Sequence, residues 1–523
     1  MHTIKPFDAT TVSLAGTNLI EASAGTGKTY SIAILVLRLI IEKGTPLEKI
    51  LMVTFTKPAV AELESRIRQF VRRAYKYALN LETVNQSIRK IVDDAGKENS
   101  KAALKKAVRS LDQLSVMTIH SYCERSLMQY PFETSQSFDS EIASDISAIR
   151  DQVVNDYWRK KITTLEKDLY IHFTKVLTRG MIQNALNKAL EDKEYTCGEV
   201  NEEDTLQQIK KALEETNTSC NNFENQIRDN FHSIKSKILT GHAANFLKEN
   251  SKSPAQFIHA YIDGYKKGTQ YIQKSFPVEY ELYSRYHSGK AALDDLSSQY
   301  IYHLFKQAIE GMRDKVVKYK AEKSVIDFND QIRLLHLAMN TGVVNQALAS
   351  QYDAVFIDEF QDTDLHQYEI FSKLFSEKIL FYIGDPKQSI FGWRKADIET
   401  YKRAKGAVDQ IYSMNLNFRS TDELIKALNN FFSFENPFAD TQIGYQPVER
   451  GLLDLGTMTE NNACVEPFEI YGFKKKAEIE SFVLNETSRL LYTKEIKING
   501  DRIKPSDIAI IVRTNKELSL IHI

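Results

Sequence analysis

Cysteine is scarce in this chain, and its four residues, Cys123, Cys197, Cys220 and Cys464, are scattered with no paired spacing. That argues against a disulfide framework, a zinc site or an iron–sulfur cluster, and for a reducing cytosol. Glycine (21) and proline (11) are sparse for 523 residues, so long helices are expected rather than many tight turns. Charge of one sign is missing as well. With a net charge of -1 the molecule has no global basic field, and any nucleic-acid surface must be local. No apolar run is long enough for a bilayer, because the longest, near Ile32–Ile41, is broken by Arg38. The opening MHTIKPFDAT lacks a charged-then-apolar leader, so a soluble, cytoplasmic protein without membrane association is expected.

What is present is an ordinary globular mix, 42% hydrophobic and 26% charged, over a length that calls for two to four packed units. The first 60 residues alternate strand and helix signals: Asn18–Ile20, a glycine-bearing loop, a helix from about Lys28 to Glu42, and a strand at Ile50–Thr54. From Pro58 to Leu111 the pattern turns helical and charged. Within it, Lys57–Ser110 holds 13 Lys and Arg against 6 Asp and Glu, or +7, the best local candidate for a nucleic-acid surface. A solvated helical face explains the same count. A middle region from Phe138 to Ala321 has almost no strand signal and reads as a helical insertion, with apolar residues at helical spacing such as Ile301, Leu304 and Phe305. Buried parallel strands are expected again at Ala354–Ile357 and Ile379–Ile383, a helix after Thr421, and a last buried strand at Asp507–Arg513 (DIAIIVR).

Residues Ala22, Ser23, Ala24, Gly25, Thr26, Gly27, Lys28 and Thr29 (ASAGTGKT) stand between the first strand and its helix. Backbone N–H groups of such a loop, with the helix N-terminus, cradle phosphate oxygens, and Gly25 and Gly27 let the backbone come close. Lys28 would reach the β- and γ-phosphates and the Thr29 hydroxyl would bind Mg²⁺. Ala22 takes the place of the first glycine of the usual pattern, and a strand–helix turn without ligand is the alternative. VFIDEFQDTD (Val355–Asp364) puts carboxylates at the end of a buried strand, where Asp358 suits Mg²⁺ and Glu359 suits a general base for the attacking water. About 330 residues separate Lys28 from Asp358, so the helical middle is inserted into one nucleotide domain.

Further elements follow the same order. Ile383–Asp397 reads IGDPKQSIFGWRKAD, where Gln388 lies on a loop suited to sensing the γ-phosphate. Trp393 beside Arg394 suits stacking on a DNA base, a core tryptophan being the alternative. Thr54, Phe55 and Thr56 at the end of the second strand, followed by Arg66 and Arg68, suit a single-strand track. Thr118 and His120 belong to a similar short polar set, and each could equally be a helix cap. In Asn417–Ser420 (NFRS), Arg419 offered from a second domain would act as an arginine finger and Phe418 could stack on adenine, a surface ion pair being the alternative for Arg419.

Taken together, the six elements resemble the superfamily 1A helicases, the UvrD/Rep/PcrA group. ASAGTGKT is similar to motif I, TFTKPAVAEL to Ia, TIHSYCER to the short DNA-contacting motif after it, IDEFQDTD to II, GDPKQSIFGWRKAD to III and NFRS to IV. Within that group LIEASAGTGKT, DEFQDTD and GDPKQSIF are most similar to the RecB branch, and no Gln-bearing adenine-recognition motif is evident before Ala22. Departures are Lys57-Pro58 where simpler members have Asn-Lys, and Lys395 in place of the glycine after the motif III arginine.

The resemblance implies an α/β fold: a P-loop NTPase with a RecA-like parallel sheet, a large helical insertion and an incomplete second RecA-like domain. Its domains would be 1–137 (first part of motor domain 1A), 138–321 (insertion 1B), 322–405 (second part of 1A) and 406–523 (start of 2A). It implies ATP and Mg²⁺ as cofactors, 3′→5′ translocation on DNA, single-stranded and duplex-end DNA as partners, RecC-like and RecD-like subunits, and a role in double-strand-break repair and recombination. No Thr-x-His-x-x-Lys-Gly-Leu-Glu element, late arginine motif or nuclease signature is found, so the chain alone is not expected to unwind DNA. Two rival classes are a non-catalytic ATP-binding scaffold that regulates a partner and a stand-alone P-loop phosphotransferase. The TFT, DEFQD and Gln388 elements argue against the latter.

Overall fold

A computed structural model of the chain describes residues 4–133, 141–143, 145–190, 201–238, 273–274, 276–340, 342, 344–390, 398–438, 443–451, 456–514 and 517. The chain divides into two compact units, Met1–Phe138 with Phe328–Ile523, and Asp139–Asp327. Among the described residues no helix is long and apolar enough to cross a membrane.

The strands in chain order are β1 (Ile4–Pro6), β2 (Thr17–Ala22), β3 (Ile50–Thr54), β4 (Ser115–Thr118), β5 (Glu141–Ile142), β6 (Val325–Ile326), β7 (Ala354–Ile357), β8 (Ile379–Gly384) and β9 (Gln410–Met414). Seven of them form one sheet in the spatial order β1-β9-β2-β8-β7-β3-β4. Every neighbouring pair in it is parallel. Parallel strands need crossover connections, which places helices on both faces and makes the strands apolar on both sides. The register shows this directly. Ile20, Met52, Phe356, Phe381 and Tyr412 face one core, together with the helices Lys28–Glu42, Lys57–Ala78, Gln86–Asp94 and Lys97–Arg109. Leu19, Leu51, Val355, Leu380 and Ile411 face the other, with the helices Ile119–Gln129, Phe328–Asn340, Leu365–Phe375 and Ile398–Ala407. On the sheet face turned to the first core, the cross-strand partners Phe356 and Phe381 stack with centroids 5.2 Å apart, and truncating either to Ala would cost about 3–5 kcal/mol.

The helix Lys28–Glu42 is apolar almost all round because it lies under other helices. Arg38, which breaks its apolar run, is buried but satisfied: it donates to both Glu42 carboxylate oxygens and to the carbonyls of Ala9 and Val12.

The unit Asp139–Asp327 is almost wholly helical among the described residues. Its two strands, β5 and β6, form one short parallel ladder. Its core holds Val153, Ile162, Phe173, Tyr300, Leu304 and Met312, drawn from the helices Ser147–Lys161, Lys167–Val176 and Pro277–Glu322 and the turn after the first.

Two expectations for the C-terminal part differ from what is seen. β9 lies between β1 and β2 in the seven-stranded sheet, so a second domain beginning at residue 406 would start ahead of a strand of the first. The run QIYSM mixes polar with apolar residues, yet Ser413 is buried in the sheet beside Ile411 and Tyr412, and that mixture hid the strand. DIAIIVR is not a strand among the described residues: Ile508 is extended (φ -114, ψ 131), but Ile511 is 94% exposed. An apolar extended run becomes a buried strand only when a neighbour pairs with it. Beyond β9 the described residues carry only short ladders: β10 (Leu416–Asn417) with β11 (Glu449–Arg450), and the antiparallel set β12 (Met458–Glu460), β13 (Ala463–Cys464), β14 (Ile496–Ile498) and β15 (Asp501–Arg502).

Candidate active site

The ASAGTGKT segment leaves β2 and enters the helix Lys28–Glu42. Ala22, which departs from the glycine pattern, is the last residue of β2, pairs with Met414 and is buried in the core. A methyl group at that point fills core space rather than loop space. Gly25 (φ 77) and Gly27 (φ 86) adopt the left-handed conformation that side chains disfavour. A Cβ on Gly25 would also lie 2.8 Å from Asn417 Oδ1 and from Arg419 Cβ. Thr26 closes the loop on itself, its hydroxyl donating to the Ser23 carbonyl (2.7 Å).

The acidic strand end meets this loop. Lys28 Nζ lies 2.6 Å from Glu359 Oε2, although the two residues are 331 positions apart. β7 delivers Asp358, whose N–H donates to the Val53 carbonyl of β3, and whose Oδ1 accepts from the Glu359 N–H (3.0 Å). Glu359 itself has a left-handed backbone (φ 52), a conformation that costs a non-glycine residue about 1–3 kcal/mol and collects at functional sites. Burial pushes the Asp358 carboxyl up to about 6, the adjacent Glu359 charge adds to that, and Lys28 offsets only part of it.

Gln361 is the residue that sequence reasoning passed over. Its Nε2 donates to Glu359 Oε2 (2.8 Å), and its Oε1 accepts from the Asp385 N–H (2.9 Å), in a pocket where the side chain is 3% exposed. It thereby ties the end of β7 to the end of β8. Gly384 leaves it room, since a Cβ there would lie 2.6 Å from Gln361 Oε1. A sequence signal existed: one glutamine two positions after the glutamate, and one glycine at the end of the neighbouring strand. Past Gly384, Gln388 donates to Asp385 Oδ2 (2.9 Å), and Lys387 pairs with Asp385 Oδ1 (2.7 Å). A cavity of about 220 Å³ beside the loop is lined by Glu21, Ser23, Lys387, Tyr401, Lys405 and Gln446 among others.

The NFRS segment reaches the loop just after the end of β9, within the same compact unit. Its approach follows from the sheet order, in which β9 is the neighbour of β2. The Phe418 N–H donates to the Gly25 carbonyl (2.8 Å), and Asn417 Nδ2 to that of Ala24 (3.1 Å). Asn417 Oδ1 in turn accepts from the N–H groups of Arg419 and Ser420. Asn417 is a clasp that the sequence did not single out. The Phe418 ring packs against Gly451 and keeps 38% exposure, and Arg419 is exposed beside the loop. Thr29, the second residue of the helix, is half-buried.

The strand ends of β3 and β4 carry the other polar set, with Thr54 and Thr118 directly opposite in register. Thr56 caps the helix Lys57–Ala78 by accepting from the Ala59 N–H, and Thr118 caps Ile119–Gln129 by accepting from Ser121, so both hydroxyls already have the structural partners of N-caps. Thr54 is fully buried and Phe55 half-buried. His120 sits edge-on to Phe328 (5.3 Å), and burial holds its imidazole below the usual histidine range against the pull of Asp364. Arg66 and Arg68 pair along their helix with Glu62 and Glu64, which spends part of the local positive charge. Trp393 and Arg394 lie outside the described residues.

A family model, the UvrD/REP helicase N-terminal domain, matches residues 5–409. Over 98% of its length the chain is 29% identical to the RecBCD enzyme subunit RecB of Buchnera aphidicola subsp. Acyrthosiphon pisum, covering 47% of that protein. It is 28% identical over 84% of its length to the Escherichia coli RecB, covering 40% of it, and 30% identical over 84% to that of Chlamydia trachomatis, covering 45%. The chain thus spans less than half the length of these curated relatives. With the family model spanning the whole sheet up to the start of β9, and relatives of one kind matching nearly end to end, the chain belongs to the UvrD/REP helicase family.

Proposed function

We propose that this chain is the ATP-binding motor portion of a RecB-type 3′→5′ DNA helicase acting in double-strand-break repair and recombination. The observation that carries the reading is the Lys28–Glu359 contact at 2.6 Å, which joins the phosphate loop to the acidic strand end. The residues fit a nucleoside triphosphate with Mg²⁺. The two left-handed glycines hold the loop open, and Asp358 is a carboxyl whose charge its surroundings resist, so a cation there is favoured.

In this reading Lys28 and the loop N–H groups hold the β- and γ-phosphates, and Thr29 and Asp358 hold the metal. Bound Mg²⁺ supplies neutralisation of charge on the phosphates. Lys28 turns from Glu359 to the phosphates, which frees the carboxylate to take a proton from the attacking water, while Gln361 keeps it aimed. Gln388 senses the γ-phosphate through the Asp385 turn. Phe418 lies against the base and Arg419 over the phosphates. Thr54, Phe55, Thr56, Thr118, His120, Trp393 and Arg394 form the single-strand track, in which Thr54 supports rather than touches DNA because it is buried. The unit Asp139–Asp327 corresponds to the 1B insertion, and in this reading the residues after β9 begin domain 2A. Single-stranded and duplex-end DNA are the substrates, with RecC-like and RecD-like subunits as partners in a cytoplasmic complex.

DNA-stimulated ATP hydrolysis tests the reading, measured on this chain and on a version extended at its C-terminus. Turnover is expected in the extended form and is abolished by Lys28→Ala. Unchanged turnover in that variant, or nucleotide binding without any DNA-stimulated turnover in either form, overturns it.

A further inference from the structure

Behind the acidic strand end, on the face of the sheet away from the phosphate-loop helix, three side chains converge that nothing above has used. His336 projects from the helix Phe328–Asn340, while His366 and Glu369 project from Leu365–Phe375 at i and i+3, so that both lie on the helix face turned to His336. One ligand atom from each lies within 4.8 Å of the others. His336 Nε2 is 2.7 Å from Glu369 Oε2, and the two imidazole rings stand 4.7 Å apart. The His336 and Glu369 side chains are only 13% and 21% exposed.

The cluster is unfinished as a hydrogen-bond network. His366 Nδ1 is buried without a partner, and leaving a buried polar atom unsatisfied costs about 1–3 kcal/mol. Glu369 is in the opposite condition. Its Oε2 meets His336 Nε2, and its Oε1 faces Arg403. Arg403 holds Glu369 Oε1 at 3.2 Å, which fixes the carboxylate and leaves Oε2 turned to the imidazoles. A ligating carboxylate with its second oxygen held by an outer hydrogen bond is the usual arrangement in metal sites.

We propose that His336, His366 and Glu369 form a binding site for a late first-row divalent cation of the Zn²⁺ type, which clamps the helix Phe328–Asn340 to the helix that follows Asp358–Asp364. Two imidazole nitrogens and one carboxylate oxygen suit zinc, with one position left for water. Mg²⁺ and Ca²⁺ prefer all-oxygen sets. Tetrahedral ligands about 2.0–2.1 Å from zinc are roughly 3.4 Å from one another, so forming the site takes at most about 1.4 Å of closure at the widest edge and about 0.7 Å of opening between His336 and Glu369. The clamp sits one helix turn from Asp364, whose carboxylate caps the same helix, so the ion steadies the acidic loop without touching nucleotide.

The test is zinc binding to the full chain after chelator treatment, by competition with a chromophoric chelator, with the urea midpoint read with and without zinc. One zinc per chain and a raised midpoint are expected, with Co²⁺ giving the visible bands of a tetrahedral site and no thiolate charge-transfer band. His336→Gln, His366→Gln and Glu369→Gln should each weaken binding by more than the roughly 10–100-fold typical of outer partners. Cys123→Ser and Cys464→Ser should bind as the parent does. Should one of the histidine variants fail to fold, Glu369→Gln and the Co²⁺ spectrum decide. No stoichiometric zinc at micromolar concentration, or equal binding by folded ligand variants, overturns the proposal.

Discussion

Replacing Asp358 by Asn should make the protein more stable while abolishing the ATP turnover proposed for the extended form. The gap between an ordinary aspartate at 3.8 and the value of about 6 that Asp358 reaches corresponds to about 3 kcal/mol of unfavourable charging. Asn keeps an oxygen for the Glu359 N–H and removes the charge. The carboxyl retains a partly solvated edge, so about 3 kcal/mol is the upper figure. The sign follows from linkage. The folded state holds the proton more tightly than the unfolded chain, so the wild type loses stability as pH rises from about 4 to about 6, and the loss is complete above that. Urea unfolding in EDTA should therefore give equal midpoints at pH 4, a gap that opens between pH 4 and 6, and a more stable variant at pH 8. Adding Mg²⁺ at pH 8 should narrow the gap, because only the wild type gains a ligand there. A pH-independent gap, or a variant less stable at pH 8, would refute the account of Asp358 as a carboxylate held at a cost for its chemistry.

In the C-terminally extended form, Gln361→Ala should lower the rate of the proposed DNA-stimulated ATP hydrolysis about 10–100-fold with little change in nucleotide affinity, as expected for a group that orients a catalytic one. Equal losses in rate and affinity would make it a part of the binding site instead. Phe55→Ala should weaken single-stranded DNA binding by about 1–3 kcal/mol at fixed salt, the worth of one stacked base. Unchanged affinity would remove Phe55 from the track.

What was readable in the sequence was whatever a strand end must announce locally. Gly25, Gly27 and Lys28 betray a loop that bends tightly round something, and four apolar residues before Asp358 betray a buried strand that stops at a charge. Three things stayed hidden because their meaning lies in a neighbour far along the chain. β9 is a core strand with Gln410 and Ser413 in it, tolerable because its partners on both sides satisfy the backbone. DIAIIVR looks more like a core strand than β9 does, yet Ile511 is exposed. Gln361 matters only once β8 is known to lie beside β7. The threonines show a further limit. A hydroxyl at a strand–helix junction is demanded by the four unsatisfied N–H groups of the helix start, whatever else it does, so Thr56 and Thr118 carry a structural signal and a functional one in the same letter. Counting cysteines likewise says nothing about His336, His366 and Glu369, which gather from two helices.

The physical reason that elements so scattered can form one site is the direction of the strands. In an antiparallel sheet, consecutive strand ends alternate between two edges, and half the motifs would lie on the far side of the molecule. Here all seven strands run the same way, so the residues leaving β2, β3, β4, β7, β8 and β9 emerge on a single edge. Sequence distance then ceases to matter: Glu359 reaches Lys28 across 331 positions because β7 is two strands from β2, and Asn417 reaches Ala24 because β9 is its neighbour. Spatial order along the edge also sorts the chemistry. The candidate phosphate loop after β2 is flanked by the ends of β9 and β8, the acidic pair lies beyond at β7, and the polar junctions after β3 and β4 stand furthest out. Candidate nucleotide residues and candidate DNA residues therefore share one sheet, with Asp358 hydrogen-bonded to Val53, the residue just before Thr54. The acidic loop and the Thr54–Thr56 end are thus joined by a backbone hydrogen bond between neighbouring strands.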